Sequence, residues 1–168
     1  LYIVYTWFAP LLGKRPFLFV SGFFGTGKSV IASLARELGR FPVNVSESLD
    51  RSSLWSAGLC KGVIVLDDVG LLARNTCATL RRMHDEGLRM EKMLAYEFGF
   101  GRIALVINNP VVISGTHLPN DPALLSRGII VKMHYGVPPK RLHEVERKLD
   151  ELRRKLYVAT VYDWKRVR

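Results

Sequence analysis

Cysteine is scarce in this 168-residue chain: only Cys60 and Cys77 occur, well separated in sequence. With no Cys-x-x-Cys pair and no histidine beside either at ligand spacing, a zinc site is not expected, and two such residues do not argue a structural disulfide. Reduced thiols in a cytoplasmic protein are the expectation. Histidine is scarce too, and His84, His117, His134 and His143 show no ligand or catalytic spacing. No apolar run is long enough to cross a membrane. The stretch LYIVYTWFAPLLGKRPFLFVSG comes nearest, but Pro10 and the Lys14-Arg15 pair break it before the roughly 20 residues a span needs. It reads as a packed helix followed by a buried strand, with no membrane or targeting segment. An initiator methionine is missing at Leu1, and the chain is expected to be a segment of a longer protein.

Acidic residues are in deficit. Fifteen Asp and Glu against 25 Lys and Arg leave a net charge of +10 and a pI near 9.9. Such a balance favours polyanionic partners, because phosphate contacts release counterions. The same charge also serves mere solubility, and it does not separate nucleic acid from an acidic membrane surface. A hydrophobic fraction of 48% and a mean hydropathy of +0.10 argue against disorder and fit one globular α/β domain.

Short apolar runs recur at 17–20, 43–45, 63–66, 103–107 and 129–133. Their hydrophobicity is continuous rather than alternating, which predicts strands covered on both faces, as in a parallel sheet. Helical stretches are predicted between them at 28–38, 50–57 and 76–98, giving a doubly wound α/β order. A last helix follows Pro138-Pro139, with Leu142, Val145, Leu149, Leu152 and Leu156 on one stripe. It is expected to pack on the body of the domain. The organisation read from this is a core over 1–137 and a basic amphipathic helix and tail over 138–168. No internal repeat, low-complexity tract or convincing linker is visible.

Residues 22–29, GFFGTGKS, match the phosphate-loop pattern G-x-x-x-x-G-K-[ST]. Such a loop works because its backbone N–H groups curl around phosphate oxygens at the start of a helix. Here a strand-like RPFLFVSG precedes it and a helix-like KSVIASLAREL follows, which is the context the pattern requires. Gly22, Gly25 and Gly27 allow close backbone approach, Lys28 reaches the β- and γ-phosphates, and Ser29 offers its hydroxyl to Mg²⁺. Thr26 and Val30 complete the candidate nucleotide-binding set. Phe23 and Phe24 fill variable positions and are expected to pack against neighbours.

Three further elements follow. GVIVLDDVG runs an apolar strand into Asp67-Asp68, at the edge where parallel sheets bind ligands. Asp67 is the candidate Mg²⁺ holder and Asp68 the candidate base for an attacking water; capping of the next helix is the plainer alternative. GRIALVINNP ends in Asn108-Asn109, and an amide there can hold the lytic water or the γ-phosphate, although Asn-Asn-Pro is also good turn chemistry. Strand register decides between the two, with Asn108 preferred. NDPALLSRGIIVKM leads through Arg127, a fixed charged fork able to neutralise charge on a transferred phosphoryl group.

In that order the four elements resemble the AAA+ class of P-loop ATPases: Walker A at 22–29, Walker B at Asp67 and Asp68, sensor 1 at Asn108 or Asn109, and an arginine finger at Arg127. The resemblance covers about residues 16–135. It is most similar to superfamily 3 helicases and the ATPase domains of viral, plasmid and phage primase-helicases, through the Asp-Asp Walker B, the compact spacing and FGFGRIALVINNP. Two features depart from the class. Asp68 stands where Glu is usual, and no sensor 2 arginine or full C-terminal lid is identified.

The resemblance implies a three-layer P-loop fold and Mg²⁺-dependent ATP hydrolysis. It also implies a homo-oligomeric, hexameric ring with Arg127 acting on a neighbour's nucleotide, and DNA, expected single-stranded, as the partner. A replicative helicase domain is the leading expectation. Its DNA-contacting elements lie between Walker B and sensor 1, here RRMHDEGLRMEKMLAYEFGFG, with Arg81, Arg82, Arg89, Lys92, Tyr96, Phe98 and Phe100. An ordinary helix with a solvated basic face is the alternative for that interval. Two other functions compete: a small-molecule P-loop kinase, and a regulatory ATP-binding switch with weak turnover.

Overall fold

The computed structural model describes residues 1–45, 49–97, 99–136 and 142–163. In chain order its elements are α1 (Tyr2–Phe8), β1 (Phe17–Gly22), α2 (Lys28–Leu38), β2 (Val43–Val45), α3 (Arg51–Cys60), β3 (Ile64–Val69) and α4 (Arg74–Asp85). There follow β4 (Leu88–Tyr96), β5 (Gly99–Ile107), β6 (Val111–Gly115), α5 (Pro122–Leu125), β7 (Gly128–Met133) and α6 (Leu142–Asp163).

A continuous apolar run makes a two-sided strand because successive side chains point to opposite faces. Phe17 and Phe19 of β1 enter one core, and Leu18 and Val20 the other. Ile64, Leu66, Val111 and Ile113 join the first core, while Val65 and Val112 join the second. Helices close both faces. Ala32 and Ala35 of α2 cover one, and Leu54, Ala57, Leu80, Met83 and Leu124 from α3, α4 and α5 cover the other. The strand order is β2-β3-β6-β1-β7, and every pairing is parallel. An α/β domain with a mainly parallel sheet between helices is therefore what the chain forms.

Two expectations are corrected. The helix expected over 76–98 ends at Asp85, where Gly87 turns the chain with φ +76° and residues 88–96 become β4. The run at 103–107 is not a parallel strand: it lies in β5, paired antiparallel to β4 with Leu88 opposite Ile107 and Tyr96 opposite Gly99. Ile107 is buried and Val106 exposed, so an unbroken apolar run here has only one covered face. The central strand is instead Val111–Gly115, entered through Pro110, whose carbonyl accepts from Ile64 N at 2.9 Å.

Helix α6 lies against α1 and α2, as expected. Trp7 meets Tyr157 edge-on, with ring centroids 6.3 Å apart, and Leu149 and Leu156 of the apolar stripe are half-buried. Leu152 is exposed. Pro138-Pro139, Phe98, the side chains of Leu142, Val145 and Tyr96, and the basic end at 165–168 lie outside the described residues. Among the described residues no helix is long and apolar enough to cross a membrane.

Candidate functional site

Strand β1 delivers residues 22–29 to the carboxyl edge of the sheet, and α2 opens at Lys28. Gly25 and Gly27 take φ values of +75° and +88°, a left-handed conformation that residues with a Cβ resist. These bends let the chain pass from strand to helix in one tight loop. Inside it, Thr26 Oγ1 donates to the Phe23 carbonyl at 2.7 Å, and Lys28 Nζ donates to the same oxygen at 2.8 Å. Lys28 is only 7% exposed, so its ammonium is held by the loop rather than by water, with the Phe24 ring 5.6 Å away. Ser29 is exposed in the first turn of α2, and Val30 N donates to the Gly27 carbonyl at 3.1 Å. Phe23 and Phe24 do not pack as expected; each is 74% exposed.

The same edge carries the acid pair. β3 lies two positions from β1, with β6 between them, so Asp67 and Ser114 both reach the rim beside the loop. The Ser114 hydroxyl donates to Asp67 Oδ1, Asp68 N donates to that oxygen at 3.0 Å, and Arg36 Nη2 donates to Oδ2 at 2.8 Å. Burial acts to raise the Asp67 carboxyl pKa; the hydrogen bonds from Ser114 and Arg36 outweigh it and hold the group below its ordinary value. Asp68 is exposed and left-handed, at φ +55°, where the β3–β6 register shifts between Leu66 and Val69. That bend turns its carboxylate out of the strand's alternation.

Asn108 and Asn109 do not join this cluster. Both precede β6 and so sit at the opposite, strand-start end of the sheet. Arg15 donates to the backbone and side-chain oxygens of Asn108. Asn109 is buried, its Nδ2 donating to the carbonyls of Ala57 at 2.8 Å and Gly62 at 2.6 Å, which ties the end of α3 to the start of β3. The polar residue at the loop end of the central strand is Ser114, which the sequence reading passed over. Its signal was available: VVISG ends in Ser-Gly, like the FLFVSG of β1.

Arg127 also lies at the strand-start end, its carbonyl accepting from Phe17 N at 3.1 Å. The length of β1 separates that point from the loop, roughly 17 Å at the usual rise per residue. Arg127 Nε and Nη2 grip Asp85 Oδ1 and Oδ2 at 2.7 and 2.6 Å, and Nη1 donates to the Ala123 carbonyl. Hydrogen bonds from Arg127 and His84 hold the Asp85 carboxyl well below the usual carboxylate range. Loop, acid pair, Ser114 and Arg36 thus gather at one end, and Arg127 stands at the other.

The donor set at the loop end fits a small divalent cation with a triphosphate. It offers hard oxygens from Ser29 and Asp67 beside a buried ammonium. Among the described residues no group of three or more His, Cys, Asp or Glu side chains converges on a metal position. A cation held by few protein oxygens and completed by phosphates and water needs no such group.

No family model matches the sequence, and no curated protein does. Among solved structures, one of 138 matching chains is the C-terminal region of NrS-1 (residues 305–718, apo A form). It superposes with a TM-score of 0.56 at 11% identity, over 90% of this chain and 38% of that one. This likeness is one of fold, and a fold shared so widely assigns no activity by itself.

Proposed function

We propose that the chain is a Mg²⁺-dependent ATPase of AAA+ type that works as a ring on DNA, as the motor domain of a helicase. One observation carries the reading most: the phosphate loop leaves β1 and the acid pair leaves β3, with Ser114 on the central strand β6 between them, in a β2-β3-β6-β1-β7 sheet. That order brings a loop, a carboxylate pair and a serine hydroxyl to one rim.

In this reading Lys28 releases the Phe23 carbonyl and takes the β- and γ-phosphate oxygens, while the α2 amino end adds its dipole. Ser29 and Asp67 hold Mg²⁺, which when bound supplies charge neutralisation on the phosphates. Asp68 orients or deprotonates the attacking water. Ser114 takes the sensor role expected of Asn108, linking Asp67 to the central strand. Arg127 acts on a neighbouring subunit's nucleotide, because its own loop lies at the far end of β1. The β4–β5 hairpin carries Arg89, Lys92 and Arg102 with exposed Met93 and Phe100, a mixture suited to phosphates and bases.

A regulatory, weakly hydrolysing switch is favoured by one observation: both Asp67 oxygens are already engaged within the chain. The experiment is ATP hydrolysis against protein concentration, with and without single-stranded DNA, for the wild type, Lys28→Ala and Arg127→Ala. The motor requires turnover that climbs with concentration and DNA, and that both substitutions abolish, the second with ATP binding intact. Turnover indifferent to concentration, DNA and Arg127 sinks it. Tight ATP binding with hardly any turnover supports the switch.

A further inference from the structure

Resting on the ring reading above, we propose that Asp85 is a positioning residue for Arg127, fixing one edge of the guanidinium so that its other edge is presented to the phosphates of a neighbouring subunit. Arginine has five N–H donors. Three contacts are made within the chain: Nε and Nη2 to Asp85, and Nη1 to the Ala123 carbonyl. One donor then remains on each terminal nitrogen, the fork that grips a phosphate bidentately.

Asp85 is itself held. His84 Nδ1 lies 3.1 Å from Asp85 Oδ1, and the His84 ring packs edge-on against Phe17 of the core, with centroids 5.6 Å apart. The base of Arg127 is fixed as well. Asp121 caps α5 through Leu124 N at 3.0 Å and pairs with Arg81 at 3.6 Å. Core, His84, Asp85 and guanidinium therefore form one continuous support.

Local helix chemistry does not explain an acid at this place. Asp85 is the last residue of α4, where the helix dipole disfavours negative charge. Nor does fold stability explain it, since Asp85 and Arg127 side chains are 42% and 25% exposed, and exposed ion pairs add little. What the pair does fix is an orientation. Loss of Asp85 therefore acts on turnover rather than on folding or on ATP binding.

The test compares Asp85→Ala, Asp85→Asn, Asp85→Glu, Arg127→Ala and the Asp85→Ala/Arg127→Ala double variant. Turnover is read at saturating protein and single-stranded DNA, together with the KM for ATP, oligomeric state and melting temperature. Asp85→Ala is expected to lower kcat about tenfold to a hundredfold, the range for a misplaced catalytic group, with KM and melting unchanged. Asp85→Glu recovers part of the loss, and the double variant is no slower than Arg127→Ala alone. Asp85→Asn keeps the shape without the charge and gives the same reading should the alanine variant unfold. Turnover of Asp85→Ala equal to or above wild type, or losses that multiply in the double variant, overturns the role of Asp85. If Arg127→Ala is itself fully active, the ring reading falls and the role of Asp85 falls with it. If Arg127→Ala is inactive and Asp85→Ala is not, only Asp85 is lost.

Discussion

Arg36 donates to Asp67 Oδ2 at 2.8 Å, so the helix that begins at the phosphate loop also grips the acid at the end of β3. This contact, with the Ser114 hydroxyl, keeps Asp67 charged below the ordinary carboxylate pKa of 3.8. The sign follows from linkage: a depressed folded pKa gives stability that is present above the unfolded value and is lost as pH falls through the folded one. Asp67→Asn should therefore flatten the loss of stability below pH 3.8, measured by denaturant melts over a pH series. An unchanged slope would show that Asp67 is not held in this way.

Asn109, the second sensor candidate, and Ser114 should separate cleanly. Asn109→Ala leaves the Ala57 and Gly62 carbonyls without their donor and should cost about 1–3 kcal/mol of stability. Turnover per folded molecule should hold. Ser114→Ala should instead reduce turnover about tenfold to a thousandfold, the cost of losing one polar group aimed at a reacting centre, beyond the stability lost with its hydrogen bond to Asp67. Paired melting curves and turnover numbers decide it. Full activity in Ser114→Ala would remove the sensor assignment.

If the hairpin meets a nucleic-acid backbone, its basic residues should show in the salt dependence of binding. Lys92→Ala and Arg102→Ala should each lower the slope of log K against log salt by about 0.7 for a single strand, with little sequence preference. Each pair needs its own control. Lys92 also stands over the Trp55 ring at 5.8 Å, and Arg102 pairs with Glu91. Slopes equal to wild type for both would direct the search for the contact surface elsewhere.

Mixing two dead variants offers a further check. Lys28→Ala lacks the ammonium but keeps Arg127, and Arg127→Ala is its complement. If sites form between copies, an equal mixture should recover up to about a quarter of wild-type turnover by random head-to-tail pairing. Recovery requires subunit exchange, which light scattering or a fluorescent label follows. An exchanging mixture that stays inactive would place both residues in one copy's site.

Much of this was legible from residues alone. The β1–loop–α2 passage was read correctly because glycine spacing, a lysine and flanking periodicities all agree. Asp67 was placed correctly for the same reason, since an apolar strand ran straight into it. The hairpin was misread because IALVI looks like a strand covered on both faces. Tertiary pairing with β4, rather than its own composition, decides that only one side is covered. Gly87 was the neglected stop: its φ of +76° ends α4, and without that break residues 76–98 still look helical. With 103–107 read as the strand that ends at Asn108-Asn109, no strand was expected at 111–115 and Ser114 was passed over. Asp85 could not be found from sequence at all, because its partner Arg127 is 42 residues away.

Trp7 gives α2 an unexpected second anchor. Its indole Nε1–H donates to the Leu38 carbonyl at 2.7 Å, at the last residue of the helix whose first residue is Lys28. The two ends lie about 15 Å apart along a rigid rod. A displacement of the phosphate-loop end thus has a route along the helix to a fluorophore buried at the other, beside Tyr157. With Trp55 and Trp164 replaced by phenylalanine, Trp7 emission would serve as a gauge of what happens at the loop without any label.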